Sequence, residues 1–292
     1  MSDPAGQSYE FHQRAEEAEA TEQRLPSVVI APDSIDNLRH LRMIEMVAGR
    51  LAAAYPGSSW LTVGDGHYGS DAIRMAAHGV RVHASSLTAA TLSISHQNGW
   101  ITEYSAQNAE RIEFPDASFD FVLCKEAYHH FPRPAIALYE MLRVAKTAVV
   151  LIEPNRQSPA LLGFMRTAFK RATRRTVMAE YEPSGNYIFR LSVPEIIEIA
   201  RGLDLPAVAW KFYNDFYHPR FFNKPRSSVF ERFGFKAGLV VQDGLCRLGL
   251  MSFGGVACAV FKTMPSEKIA AQLRSDGVRV KPLDRNPHFA KP

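Results

Sequence analysis

The sequence is poor in cysteine: only Cys124, Cys246 and Cys258 occur among 292 residues. They stand far apart and form no C-x-x-C pair, which argues against a disulfide framework and a zinc knuckle. Cys124 and Cys258 fall in apolar runs and read as core. Long hydrophobic runs are also lacking, since none approaches the roughly 18 residues that a membrane span needs. Charge of one sign is scarce as well: 34 Lys and Arg against 30 Asp and Glu leave a formal net charge of +4, too small to imply a nucleic-acid partner. The opening stretch MSDPAGQSYEFHQRAEEAEATEQR has no apolar h-region, so neither a signal peptide nor a transit peptide is expected and the cytoplasm is the expected location.

What is present is ordinary for a globular chain, 46% hydrophobic and 22% charged, and long enough to bury a sizeable α/β core. Residues 1–25 are polar and read as a mobile arm or a loosely docked helix. A helix follows, with Asp33 or Ser34 as N-cap and Leu38, Leu41, Ile44, Val47, Ala48 and Leu51 at helical spacing, stopped by Tyr55-Pro56-Gly57. From there strands and helices alternate. Strands are expected at Trp60–Val63, Val80–Ala84, Ile101–Ser105, Phe119–Cys124 and Ala148–Ile152, with helices at Ser70–His78, Thr88–Gln97 and Ala135–Val144. Continuous apolar strands alternating with helices indicate a parallel sheet covered on both faces.

After Glu153-Pro154 the rhythm breaks, and residues 155–190 read as an insertion. Alternation resumes with a helix capped at Ser192, a strand near Val208–Phe212, a helix near Ser227–Leu245 and a strand at Val256–Lys262. Residues 26–264 read as one domain and 265–292 as a surface extension.

Between the first strand and its helix stands VGDGHYGSD, whose Gly64, Gly66 and Gly69 fit G-x-G-x-x-G. Glycine lets a backbone turn approach a ligand closely, because it has no Cβ and tolerates positive φ. In an open α/β sheet such a crevice lies at the carboxyl ends of the strands. A NAD site would place an acid at the end of the second strand. Here Ser85 and Ser86 occupy that place, with Arg81 nearby, so an NADP-dependent oxidoreductase stays open as an alternative.

A second segment carries more information: Asn108-Ala109-Glu110, then EFPDASFDFVLCKEAYHHFPRP. Phe114-Pro115-Asp116, Ser118-Phe119-Asp120, Val122 and His129-His130-Phe131, together with the glycine turn, resemble the class I S-adenosylmethionine-dependent methyltransferases, in particular their small-molecule branch. The resemblance covers residues 58–153. It implies a Rossmann-like fold with a mostly parallel seven-stranded sheet, helices on both faces, an inserted helical lid at 155–190, and S-adenosyl-L-methionine as cofactor. It further implies that Gly64, Asp65 and Gly66 approach the methionine and ribose portions, that Ser85 and Ser86 face the ribose, that Asn108 and Ala109 meet the adenine edge, and that Glu126 stands at the mouth of the central strand. The chain departs from the family at three places, with Thr62, Ser86 and Asn108 where acids are usual. Asp65 either restores negative charge near the sulfonium or only caps the following helix. A fold-retaining binding protein with a weakened cofactor site would also account for these departures.

Methyl transfer needs a general base only where the nucleophile must lose a proton. His129, His130 and Tyr128 are the catalytic candidates, with His129 favoured as base; the alternative is that the histidines cap the helix at Pro132-Pro134. Lys125 reads as a member of a surface ion pair. No metal is expected, since no His/Asp/Glu cluster has ligand spacing. The insertion carries Arg156, Arg166, Lys170, Arg171, Arg174 and Arg175 without an acid up to Met178, beside Leu161, Leu162, Phe164, Met165 and Phe169. It reads as a packed helix, as a lid whose arginines hold an anionic acceptor, or, through 158–178, as peripheral contact with an anionic membrane. Arg156, Arg166, Tyr213 and Tyr217 are the substrate-binding candidates. The expected acceptor is a small molecule, a glycan precursor or natural product presenting an O or N nucleophile. The aromatic loop from Phe212 to Phe222 permits a homodimer.

Overall fold

A computed structural model describes residues 4–156, 180–182, 186–216 and 224–288. Four helices precede the sheet: α1 (Pro4–Glu22), α2 (Ser27–Ile30), α3 (Ile35–Met46) and α4 (Ala48–Ala54). The run then alternates as β1 (Ser59–Val63), α5 (Ser70–Ala76), β2 (Arg81–Ser86), α6 (Ala90–Gln97), β3 (Glu103–Ala106), β4 (Phe119–Lys125), α7 (Pro134–Val144) and β5 (Ala145–Pro154). It ends with α8 (Val193–Gly202), β6 (Ala207–Tyr213), α9 (Val229–Arg247), β7 (Gly255–Phe261), α10 (Glu267–Ser275) and β8 (Arg279–Pro282).

The strands form one eight-stranded sheet in the order β3-β2-β1-β4-β5-β7-β6-β8. The first five pair in parallel, β7 runs antiparallel to β5 and β6, and β8 is antiparallel to β6. The order reverses at β1, so the carboxyl ends of β1, β2 and β4 open onto one crevice.

Alternation along each strand sends side chains to two cores. Trp60, Phe121, Leu123, Val150, Ile152 and Phe261 pack on one face with Ile44 and Leu51, Met75, Leu92 and Leu273 of the helices. Leu61, Val122, Val149, Leu151 and Val260 pack on the other with Leu138, Met141 and Ile196. Ser34 caps α3, its hydroxyl accepting from Asn37 N at 3.0 Å, and Pro134 opens α7 where its missing N–H has no consequence.

Two expectations change. The seven-stranded sheet has an eighth strand, and residues 265–292 are not a mere surface extension. Ser266 accepts from Ile269 N and starts α10, whose Ala270 and Leu273 are buried with Val278 and Leu283. β8 is a short edge strand with charged outward residues, a pattern that resists reading because only half of it faces the core. Most of the expected lid insertion, the membrane-contact segment 158–178, Arg166 and Tyr217 lie outside the described residues. No helix among the described residues is long and apolar enough to cross a membrane.

Candidate active site

The glycine turn leaves β1 with Gly64 at φ +74°, where a Cβ would stand 2.5 Å from the Ala127 Cβ. The turn therefore lies against the segment that follows β4. At Gly66 a Cβ would meet a Glu16 carboxylate oxygen at 2.6 Å and the Ser86 hydroxyl at 2.8 Å. Gly69, at φ +64°, is the left-handed residue that starts α5.

Asp65 has the capping role and not the cofactor role. Its carboxylate accepts from Asp71 N at 3.1 Å, Ala72 N at 2.9 Å and the Thr62 hydroxyl at 3.0 Å, all within the first turn of α5 and β1. Burial, and then the charge of Asp71, push its carboxyl well above the usual range against those hydrogen bonds. Ser85 is likewise committed elsewhere, since its hydroxyl donates to the Thr62 carbonyl at 2.6 Å across the sheet.

Ser86 does face the crevice. A cavity of about 110 Å³ lies there, with Gly64, Ser86, Asn108, Ala109, Ala127, His130 and Phe131 in its wall. Asn108 is fixed by its own turn, its side-chain oxygen accepting from Glu110 N at 2.9 Å. Beside Leu87, Gln107, Glu110 and Pro132, the wall contains three residues of α1 that were not legible in the sequence: Tyr9, His12 and Glu16. These positions share one helix face. The carboxylate of Glu16 accepts from the Ser86 hydroxyl at 2.7 Å, from the Thr88 hydroxyl at 2.7 Å and from Thr88 N at 3.0 Å. Of the other two, His12 Nε2 lies 3.6 Å from a carboxylate oxygen of Glu182, and Tyr9 sits beside Glu110 and Arg133.

After β4 the chain makes a single 3-10 turn, Tyr128–His130. Glu153, fully buried at the end of β5, organises it. One of its oxygens accepts from Ala127 N and Tyr128 N, each at 3.0 Å, and the other meets His129 Nδ1 at 2.7 Å. Burial pulls the His129 pKa down, but the hydrogen bond and charge of Glu153 outweigh it and hold the ring above its ordinary value. His130 stacks near it with ring centroids 3.9 Å apart, and its Nδ1 contacts Glu182. Burial, and then the charge of His129, hold His130 below the ordinary histidine value, with Glu182 opposing. His129, His130 and Glu182 bring ligand-capable atoms within 4.8 Å of one another, a grouping the sequence spacing does not show.

Tyr128 is a core residue, buried against Phe131, and burial raises its hydroxyl far above the useful range; it is not a catalytic group. Glu126, at φ +51°, is not in the wall of the small cavity, and its carboxylate lies 3.5 Å from His40 and 4.0 Å from Arg39 of α3. Lys125 lies 3.0 Å from it and 3.3 Å from Asp71, and Lys125 is buried, so the expected surface ion pair is an interior one. Burial opposes ionisation of Glu126, but Lys125 and Arg39 outweigh it and keep the carboxyl below its ordinary value. The same cluster contains Arg39, at 2.5 Å from Asp36 and 2.6 Å from Asp215.

Tyr213 is buried over Gly255 and lines a separate cleft of about 640 Å³ with Arg42, Lys211 and Arg247, which shares no residue with the first cavity. Arg156 is exposed and pairs with Glu195 at 3.7 Å, a surface contact and not an acceptor clamp.

The cavity fits an adenosyl group by its chemistry. Two glycines allow close backbone approach, Asn108 offers donor and acceptor, and Glu16 and Ser86 offer a carboxylate and a hydroxyl.

Residues 61–152 match a protein family described as a methyltransferase domain. A comparison of the sequence with curated proteins finds no match. Among solved structures the fold is similar to YcgJ from Bacillus subtilis, with 16% identity, a TM-score of 0.51, and coverage of 75% of this chain and 98% of that one. Another similar structure is a SAM-dependent methyltransferase from Thermotoga maritima, with 16% identity, a TM-score of 0.49, and coverage of 85% and 98%. A third is an N-methyltransferase from Haemonchus contortus in complex with phosphomonomethylethanolamine and S-adenosylhomocysteine, with 16% identity, a TM-score of 0.45, and coverage of 77% and 57%. These likenesses concern the fold alone. The family match runs over the glycine turn, the 3-10 turn and most of β5, and it marks residues 61–152 as a methyltransferase domain.

Proposed function

We propose that the protein transfers the methyl group of S-adenosylmethionine to an O or N nucleophile of a small molecule, with His130 as the general base. The observation that carries this reading is the paired histidine turn: His130 stands in the cavity wall while Glu153 holds the neighbouring His129 above its ordinary pKa. The charge on His129 helps keep His130 neutral, which is the state a base needs.

The bound cofactor supplies a methyl group on a sulfonium, a leaving group that needs no acid. The chain's share is therefore positioning and proton removal. Gly64 and Gly66 admit the ligand to the turn, Asn108 and Ala109 meet a base edge, and His130 takes the proton lost by the acceptor. His129 and Glu153 position His130 and set its charge.

This assigns the base to His130 where the sequence favoured His129, because His130 is the one in the cavity wall. An NADP reading has less support: the carboxylate of Glu16 beside Ser86 repels a 2′-phosphate. The acceptor class, a glycan precursor or natural product, rests on the resemblance.

The test is release of S-adenosylhomocysteine from S-adenosylmethionine with a panel of small hydroxyl and amine acceptors. With an acceptor in hand, His130→Gln is expected to lower kcat by about 10²–10⁴-fold while cofactor affinity is kept. Turnover of His130→Gln at the wild-type rate would remove His130 from the reaction.

A further inference from the structure

We propose that α1 is a working wall of the cofactor site, and that Glu16 is the carboxylate that receives the ribose hydroxyls in place of the acid missing from the end of β2. The inference rests on the cofactor reading above.

Three observations carry it. First, the place where an acid is expected holds Ser86, and a carboxylate nevertheless stands there, delivered from 70 residues earlier in the chain. Three donors from Ser86 and Thr88 orient it. A carboxylate accepts about four hydrogen bonds, and two of those donors are rotatable hydroxyls that yield to ligand hydroxyls. Second, Glu16 forms no ion pair among the described residues, so its charge is left for a donor-rich ligand. Third, Tyr9 and His12 lie on the same helix face as Glu16 and line the same cavity, so α1 presents three polar side chains to it.

The cavity, at about 110 Å³, is well below the roughly 300–1,000 Å³ of ligand sites. A nucleoside-sized ligand therefore requires α1 to move outward and to settle over it, farther from the sheet than here. Its attachment suits this: of its described side chains only Ser8 is fully buried, and polar contacts join it to the body.

The experiment is calorimetric titration of the full chain with S-adenosylhomocysteine and with its 2′-deoxy analogue. The proteins are wild type, Glu16→Gln, Glu16→Gln/Ser86→Asp, and, as control, Glu10→Gln, whose exposed carboxylate meets Arg14 of the same helix. Wild type is expected to prefer the ribose form by about tenfold or more, the worth of one charge-assisted hydrogen bond. Glu16→Gln should lose both that preference and about tenfold in affinity, and Ser86→Asp in the same chain should restore them by returning an acid to β2. Glu10→Gln should behave as wild type. Glu16→Gln that keeps the full preference, or binds more tightly, overturns the proposal and makes α1 a plug. A wild-type protein that binds neither compound overturns the cofactor reading itself, and the proposal with it.

Discussion

His129 Nδ1 lies 2.7 Å from an oxygen of Glu153, a side chain with no exposure to solvent. The pair favours the protonated form of the His129 ring beside His130. Removing that cation with His129→Gln is expected to raise the His130 pKa, since the charge of His129 is one of the causes that lower it. The acid limb of the kcat/KM profile should then move to higher pH, with activity falling more at pH 6 than at pH 8. Loss of activity at every pH would instead make His129 the base.

The same pair has a consequence for stability. A histidine whose folded pKa is raised above its unfolded value of about 6.5 stabilises the fold fully below that value, and the contribution is lost as pH rises through the folded pKa. Urea titrations of wild type and His129→Gln should therefore differ more at pH 5.5 than at pH 9.

Two glycine substitutions separate fold from site. Gly64→Ala forces a side chain into a left-handed backbone and against the Ala127 Cβ at 2.5 Å, and is expected to cost about 2–4 kcal/mol in urea unfolding. Gly66→Ala has an ordinary φ and meets chiefly the end of the Glu16 side chain. It should barely move the unfolding midpoint while weakening binding of S-adenosylhomocysteine. Equal destabilisation by both would contradict this division.

Arg39 holds Asp36 and Asp215 in a nearly closed environment. Arg39→Leu leaves both acids without it and is expected to cost about 3–5 kcal/mol. Burial already raises the Asp215 pKa, and Arg39 opposes that rise. Without Arg39 the folded value climbs further, so the deficit should grow as pH rises from about 4 through 7. A deficit identical at pH 5 and pH 8 would speak against unpaired Asp215 as its cause.

Trypsin reports on α1. Arg14 is exposed in the middle of this helix, and cleavage after it requires the helix to leave the body. S-adenosylhomocysteine at 100 times its Kd should slow that cut by roughly 100-fold if the ligand binds only with α1 docked. An unchanged rate would show that binding and docking are independent.

The sequence made the central strands visible because Trp60–Val63, Phe119–Cys124 and Ala148–Ile152 are apolar runs buried on both faces. The glycine turn and the histidine pair were legible as motifs. The side chains that complete the site were not. Glu153 ends an apolar strand, and only the fold shows that it reaches back to residue 129. Glu16 lies in a helix with few apolar residues, whose partners are polar groups on β2 and the loop behind it, so periodicity carries no trace of its purpose. Lys125 misled in the opposite direction: a charged residue beside Glu126 reads as surface, yet it closes an interior cluster with Asp71. For Asp65 the sequence offered two candidate roles, and local hydrogen bonds favour the cap.

The long reach from Glu16 to Ser86 also sets an order of events during folding. The sheet and its helices condense on apolar contacts, whereas α1 has almost no buried surface with which to repay the closure of so large a loop. It docks last and detaches first. Partial denaturation should therefore pass through a chain with an intact sheet and no affinity for nucleosides, so the loss of ligand precedes the loss of structure.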